Sequence, residues 1–246
     1  MHKQLRLVKP GTRRQLICFH FAGGNAEYFL PWKNHLDAQT AVYAVQLPGR
    51  GQRLAEGLKT CLHQCADEVV GSLAMLPQRP TFFFGHSMGA TLAFETALRW
   101  EKRGQSLEHL FISGRMPPDQ NSGTDYYRRS DQELIEKVSA LGGTAPDVFA
   151  CQALRELVMP ILRADFEAIE TYQRRNFDTL SCPVSALLGR RDTEVRSDEI
   201  CRWAEVTSGR FEFQGFQGGH FYLNEKSHNF FQYLKNKISE YDRCVY

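Results

Sequence analysis

The chain has no dominant charge, no long apolar run and no paired cysteine motif, and each absence removes a class of function. Lys and Arg number 30 against 28 Asp and Glu, a formal net charge of +2 over 246 residues. The basic residues are interspersed with acids and their longest clusters are pairs, such as Arg13-Arg14, Arg128-Arg129 and Arg190-Arg191. No face therefore advertises nucleic acid. No stretch approaches the roughly 20 apolar residues of a membrane span, and the first residues lack the apolar core of a signal peptide, so no membrane association is expected. The seven cysteines are scattered without a C-x-x-C pair. Cys61 and Cys65 have helical spacing, but no histidine pair follows at a zinc-finger interval. These features lead us to expect reduced thiols in a cytoplasmic setting, no metal and no organic cofactor. The length suits one substantial core, read as a single domain over residues 1–246.

What is present is a rhythm of short apolar runs and helical periods. Residues 16–21 read as an early core strand opening into Ala22-Gly23-Gly24. A helix is predicted over about 26–36 and a strand over 41–45, closed by Leu47-Pro48-Gly49-Arg50-Gly51. Leu62, Cys65, Ala66, Val69, Val70, Leu73 and Leu76 recur at helical spacing. Further strands are predicted at 81–84, 109–113, 183–189 and near 210–213, and a last helix from about Asn224. Alternating strands and helices imply an α/β fold whose mostly parallel, twisted sheet carries helices on both faces. The alternation stops between about 115 and 180. There Ser130-Asp131-Gln132-Glu133 spells a capping box for a helix ending near Gly142, and a second helical tract runs from about 146 to 172. Pro160 should kink or split that tract. The segment reads as a helical insertion rather than a second domain.

The chemistry is concentrated in Gly85-His86-Ser87-Met88-Gly89, which follows the apolar strand Thr81-Phe82-Phe83-Phe84 and precedes a helix ending near Gly104. Strand, G-x-S-x-G, helix is the context of a nucleophile elbow. A serine hydroxyl is a weak nucleophile until it is held out on a strained turn and given a base. In α/β-hydrolases the acid and then the histidine follow the serine along the chain. His220, in Gly218-Gly219-His220-Phe221, is the favoured base over His109 and His228, which fall in a strand and a helix. Asp192 follows directly on a strand end and is favoured as the orienting acid, with Asp119 its rival. The oxyanion hole would combine the Met88 N–H with one from the glycine-rich loop 20–24.

Six ordered blocks make a resemblance specific. They are Cys18-Phe19-His20-Phe21-Ala22-Gly23-Gly24, Gln46-Leu47-Pro48-Gly49-Arg50-Gly51, the elbow, Leu162-Arg163-Ala164-Asp165-Phe166, Gly189-Arg190-Arg191-Asp192 and Gly218-Gly219-His220-Phe221. Together they resemble the type II thioesterases, the stand-alone editing enzymes of nonribosomal peptide and polyketide synthases, over about residues 15–235. The resemblance implies an α/β-hydrolase fold with a mobile helical lid at about 115–180. It also implies Ser87 as nucleophile, His220 as base, Asp192 as its orienter, and Met88 and Ala22 as backbone oxyanion donors. Its expected substrate is an acyl thioester on the phosphopantetheine arm of an acyl or peptidyl carrier protein, cleared by a monomer. This chain departs from the family pattern at His20, where proline is usual, and at Phe21. Leu134, Val138, Leu154, Leu157, Val158 and Phe166 are lid positions that either face substrate or pack the lid onto the body. Two other readings share the sequence: an esterase or lipase of free esters, and a non-catalytic binding module.

Overall fold

The computed structural model describes residues 4–120, 123–175, 177–224 and 228–244. In chain order its elements are β1 (Leu5–Lys9), β2 (Arg14–Phe19), a 3-10 stretch (Ala26–Asn34), β3 (Thr40–Val45), α1 (Leu62–Leu73), β4 (Thr81–His86), α2 (Met88–Lys102) and β5 (His109–Ser113). Then come α3 (Asp131–Leu141), α4 (Pro146–Ala150), α5 (Gln152–Glu170), β6 (Val184–Gly189), α6 (Ser197–Cys201), β7 (Phe211–Phe216) and α7 (His228–Cys244). The strands form one sheet of order β1-β3-β2-β4-β5-β6-β7. β1 runs antiparallel to β3, and the remaining pairs are parallel.

Strand periodicity decides which helices each face receives. Along β4, Phe83 points into one core with Val69, Leu92 and Phe94 from α1 and α2, while Phe82 and Phe84 point into the other with Trp32, Phe230 and Leu234. β5 repeats this, with Leu110 and Ile112 on the first side and Phe111 on the second. A strand buried on both faces is uniformly apolar for this reason. Trp32 anchors the second core, its ring centroid 4.9 Å from Phe84 and 5.1 Å from Phe231. Each such aromatic is worth on the order of 2–3 kcal/mol when fully buried.

The parallel register lines up the carboxyl ends of β2, β4, β5 and β6. Phe19 lies opposite Gly85, His86 opposite Ser113, and Ser113 opposite Leu187. The chain passes from β2 to β3 on one side and then returns to β4 on the other, so the loops after β2 and β4 part at a topological switch point. A crevice opens where they part.

Several elements differ from the sequence reading, among them α6, a short helix with no counterpart in it. β1 is an unpredicted edge strand whose buried residues, Leu5 and Val8, stand three apart because the register with β3 shifts between Leu7 and Lys9, so no two-residue period marks it. The expected helix at 26–36 is a 3-10 stretch with Pro31 inside it and no side-chain cap at Asn25. The tract at 146–172 does break, but at Cys151, whose extended backbone separates α4 from α5. Pro160 stays inside α5. It is exposed, as is Glu156 one turn earlier, so the carbonyl that loses its partner is met by water. Met159, Leu162 and Phe166 meanwhile hold the helix by packing. The last helix is described over His228–Cys244, and residues 225–227 of its expected start lie outside those described. The capping box did form: Ser130 Oγ accepts from Glu133 N, and Gly142 closes α3 at φ 81°.

His109, at the start of β5, is buried, hydrogen-bonded to Ser185 Oγ (2.7 Å) and stacked on Phe111. Burial, helped by the charge of Lys237, pushes its pKa down to about 3. The unfolded imidazole titrates near 6.5. Between these values the unfolded chain binds a proton that the folded chain does not, so stability falls as pH drops below about 6.5. At pH 5 this one ring favours unfolding by about 2 kcal/mol. His109→Gln is expected to shrink the loss of Tm between pH 7.5 and pH 5 by ~4–8 °C, read by thermal melts at both pH values; an undiminished loss would exclude His109 as a source.

Candidate active site

Ser87 is the only non-glycine described residue with a positive φ (55°, with ψ −121°). The conformation is expensive for an L-residue, on the order of 1–3 kcal/mol, and its neighbours enforce it. Ser87 N–H donates to Ser113 O (2.8 Å), and Ser87 O accepts from Ala90 N (2.9 Å) to start α2. A Cβ on Gly85 would lie 2.2 Å from Gly89 O, and one on Gly89 would lie 2.3 Å from Phe19 O. The elbow glycines are thus required by close approach of backbones; neither has a positive φ. Ser87 is left at the N-terminus of α2, where backbone N–H groups and the helix dipole favour a developing negative charge.

His220 and Asp192 are brought together by two turns that interlock. Arg190 N–H donates to Phe216 O (2.8 Å), Arg191 N–H to Gly218 O and Asp192 N–H to Gly189 O (both 2.9 Å). Gly189 permits this, since a Cβ there would sit 2.0 Å from Gly219 O. Asp192 Oδ2 then accepts from His220 Nδ1 at 2.9 Å, with the histidine side chain 4% exposed and the carboxylate fully buried. Its other oxygen accepts from Glu194 N (2.8 Å). This contact leaves Nε2 as the ring nitrogen turned away from the carboxylate. Ser87 and His220 face the same cleft without a hydrogen bond between them, the looser arrangement common in unliganded sites.

The rival residues are committed elsewhere. Asp119 pairs with Arg202 at the surface (2.8 Å), His109 is buried in β5, and His228 is exposed. His86, although inside the elbow, points into the interior. Its Nδ1 meets Ser113 Oγ (2.9 Å), which in turn meets Tyr222 OH (2.7 Å). Its ring lies 4.9 Å from that of His220. Burial, with the repulsion that a second protonated ring beside His220 would meet, holds the His86 pKa well below its ordinary value, so it stays neutral.

The cleft encloses about 90 Å³ and is bounded by Ala22, Ser87, Met88 and His220 at the sheet edge. Phe21, Val138, Phe166, Ile169 and Phe221 supply apolar walls. Of the apolar insertion positions named from the sequence, Val138 and Phe166 line it. Leu134 is buried, with Val158 packed against the same small cluster, while Leu154 and Leu157 are exposed. The insertion therefore has a core of its own. Four charged liners escaped the sequence reading: Arg115, Lys137, Glu170 and Glu194. Lys137 pairs with Glu194 (2.5 Å). Glu170 accepts from the backbone N–H groups of Tyr126 and Tyr127 (both 3.0 Å), tying the segment before α3 to α5. Burial pushes the Arg115 pKa down to about 10. The position of Arg115, directly after a strand end and Gly114, was the available signal.

A serine presented on a strained strand-to-helix turn, at the carboxyl edge of a mostly parallel sheet, marks the α/β-hydrolase class. Comparison with known proteins narrows it. Residues 14–238 match the family model described as the thioesterase domain. The chain is 36% identical over 234 residues to thioesterase PikA5 of Streptomyces venezuelae, covering 94% of this chain and 82% of that one. It is 33% identical over 234 residues to the gramicidin S biosynthesis protein GrsT of Aneurinibacillus migulanus, covering 94% and 91%. Among solved structures, the type II thioesterase BorB from the borrelidin biosynthetic cluster superposes with a TM-score of 0.87 at 39% identity, over 95% of this chain and 97% of that one. The chain belongs to the thioesterase family.

Ser113 carries two buried partners on one hydroxyl. His86 Nε2 already lacks a hydrogen-bond partner among the described residues, so Ser113→Ala leaves that ring with none. The variant is expected to lose about 2 kcal/mol of stability, the usual cost of stranding a buried polar group, measured by urea unfolding; a loss below about 0.5 kcal/mol would show that the network contributes little.

Proposed function

We propose that the protein is a stand-alone type II thioesterase in which Ser87, His220 and Asp192 are the catalytic triad. In this reading it removes acyl groups from the phosphopantetheine arm of carrier proteins in a nonribosomal peptide or polyketide synthase. The observation that carries the site assignment is the buried His220–Asp192 hydrogen bond of 2.9 Å facing the cleft into which the strained Ser87 turn opens. The substrate assignment rests on the likeness to BorB, described as a type II thioesterase.

Ser87 Oγ attacks the thioester carbonyl carbon as His220 Nε2 takes the hydroxyl proton. Asp192 holds the imidazole in the required tautomer and stabilises the imidazolium that forms. Negative charge on the carbonyl oxygen is met by the N–H groups of Met88 and Ala22. The C–S bond breaks and the departing thiolate takes the proton from His220, leaving an acyl ester on Ser87. Water, deprotonated by His220, then attacks that ester and releases the free acid, and the proton returns to Ser87. The insertion over the cleft serves as the lid, with Val138 and Phe166 contacting the acyl group. Side chains, backbone N–H groups and one water supply every step, and the protein acts as a monomer.

The test is hydrolysis of acyl-phosphopantetheinyl carrier protein beside the matching free acyl thioester and p-nitrophenyl ester. A preference for the carrier-bound thioester, abolished in Ser87→Ala, is expected. Asp192→Asn should lower kcat by about 10³–10⁴ while leaving carrier binding unchanged. Efficient cleavage of oxygen esters with no gain from the carrier would identify a general esterase, and absence of any turnover would favour a binding module.

A further inference from the structure

The carboxylate of Asp165 takes no part in the steps above, yet it is buried beside them. Asp165 lies on α5 and is 1% exposed. Arg50, 3% exposed and contributed by the turn after β3, grips it with two hydrogen bonds: Nη1 to Oδ2 at 2.5 Å and Nη2 to Oδ1 at 2.8 Å. The same Oδ2 accepts the backbone N–H of Gly23 at 2.7 Å. Arg50 Nη1 also reaches Gly24 O at 3.4 Å. One turn before Asp165 on α5, Leu162 covers Gly23, where φ is +78° and a Cβ would lie 2.3 Å from Leu162 Cδ2. The loop after β2 is therefore held by α5 through a charge and a side-chain contact.

The peptide planes on either side of Ala22 show what this hold does. In a trans peptide the carbonyl of one residue and the N–H of the next point in opposite directions. Phe21 O accepts from Gly24 N (2.9 Å) and lies 2.8 Å from His20 Nδ1, so it faces into the loop. The Ala22 N–H in the same plane faces outward, and Ala22 lines the cleft. The plane after Ala22 ends in Gly23 N–H, the group bonded to Asp165. Both planes flanking the oxyanion donor are fixed, the first by the loop itself and the second by α5.

We propose that Asp165, held by Arg50, is a positioning residue that sets the Ala22 N–H for the oxyanion, so that the oxyanion hole is complete only when α5 is seated. This rests on the reading of Ser87 and Ala22 given above. A buried ion pair is a poor stabiliser in itself, since desolvation offsets its attraction, and apolar replacements are often neutral. The pair can therefore be removed without removing the fold, which separates positioning from stability. It also divides the insertion: the part of α5 around Asp165 belongs to the fixed site, and lid movement is confined to segments before it.

The experiment compares native protein with the double variant Arg50→Met/Asp165→Leu on an acyl thioester and on a p-nitrophenyl ester, with Ser87→Ala as control. The double variant is expected to melt within a few degrees of native, with KM within about threefold. Its kcat should fall about 100-fold, the scale of losing one oxyanion donor. Affinity for an alkyl boronic acid, whose serine adduct places an oxygen in the same hole, should fall by a similar factor. Native kcat in a folded double variant would overturn the proposal, as would equal losses in kcat and melting temperature with boronic acid affinity retained. Should the double variant not fold, Asp165→Asn, which keeps an acceptor for Gly23, must retain at least tenfold more kcat than Asp165→Ala; equal values overturn the proposal. Turnover surviving in Ser87→Ala would instead sink the assignment of Ser87, a separate failure.

Discussion

The left-handed backbone of Ser87 is the constraint around which the rest of the molecule is arranged. A residue at φ 55° and ψ −121° relaxes unless both sides of the turn are held. On one side β4 is locked at the centre of the sheet between β2 and β5, with Phe82, Phe83 and Phe84 buried in two cores. On the other, α2 begins immediately and is covered by α1. Between them, Gly85 and Gly89 allow backbones to approach where no side chain fits. Burial energy distributed over both cores thus stabilises a local conformation that the chain would not adopt alone.

The same logic extends to the polar groups at the sheet edge. Their placement depends on hydrogen bonds that reach beyond their own segments. Asp192 and His220 meet because the turn after β6 and the loop after β7 exchange hydrogen bonds. The loop after β2 is held in part by α5, whose Asp165 reaches Gly23 across 142 positions of sequence. Buried neutral histidines surround the site without competing for its proton. His86 is kept uncharged by burial, and His20 is pushed down to about 4 by burial with Arg50 beside it. One imidazole is left facing the cleft with a carboxylate behind it.

Much of the fold was legible because its signals are local. The apolar run before Ser87, the helical spacing over 61–76 and the Ser130–Glu133 box each lie within about 16 residues, and each became the element its pattern implied, the helix stopping at Leu73. Legibility failed where a neighbour decided. Pro160 reads as a break, yet the helix continues because its neighbours pack and the orphaned carbonyl faces water. The 26–36 segment carries a helical period, but Pro31 and the missing cap leave it a 3-10 stretch. Asp165 stood in the sequence only as part of a motif block, and its partners Arg50 and Gly23 are brought to it by the fold.

By itself the sequence determined the class of sheet, the place of the strained serine, and the residue types available to serve it, because these depend on period, sterics and side-chain chemistry over short spans. Only the tertiary structure decided which aspartate meets which histidine, which insertion residues line the cleft, and which helix holds the loop after β2. Those outcomes depend on distances between segments far apart in the chain, and such distances are set by the packing of the two cores.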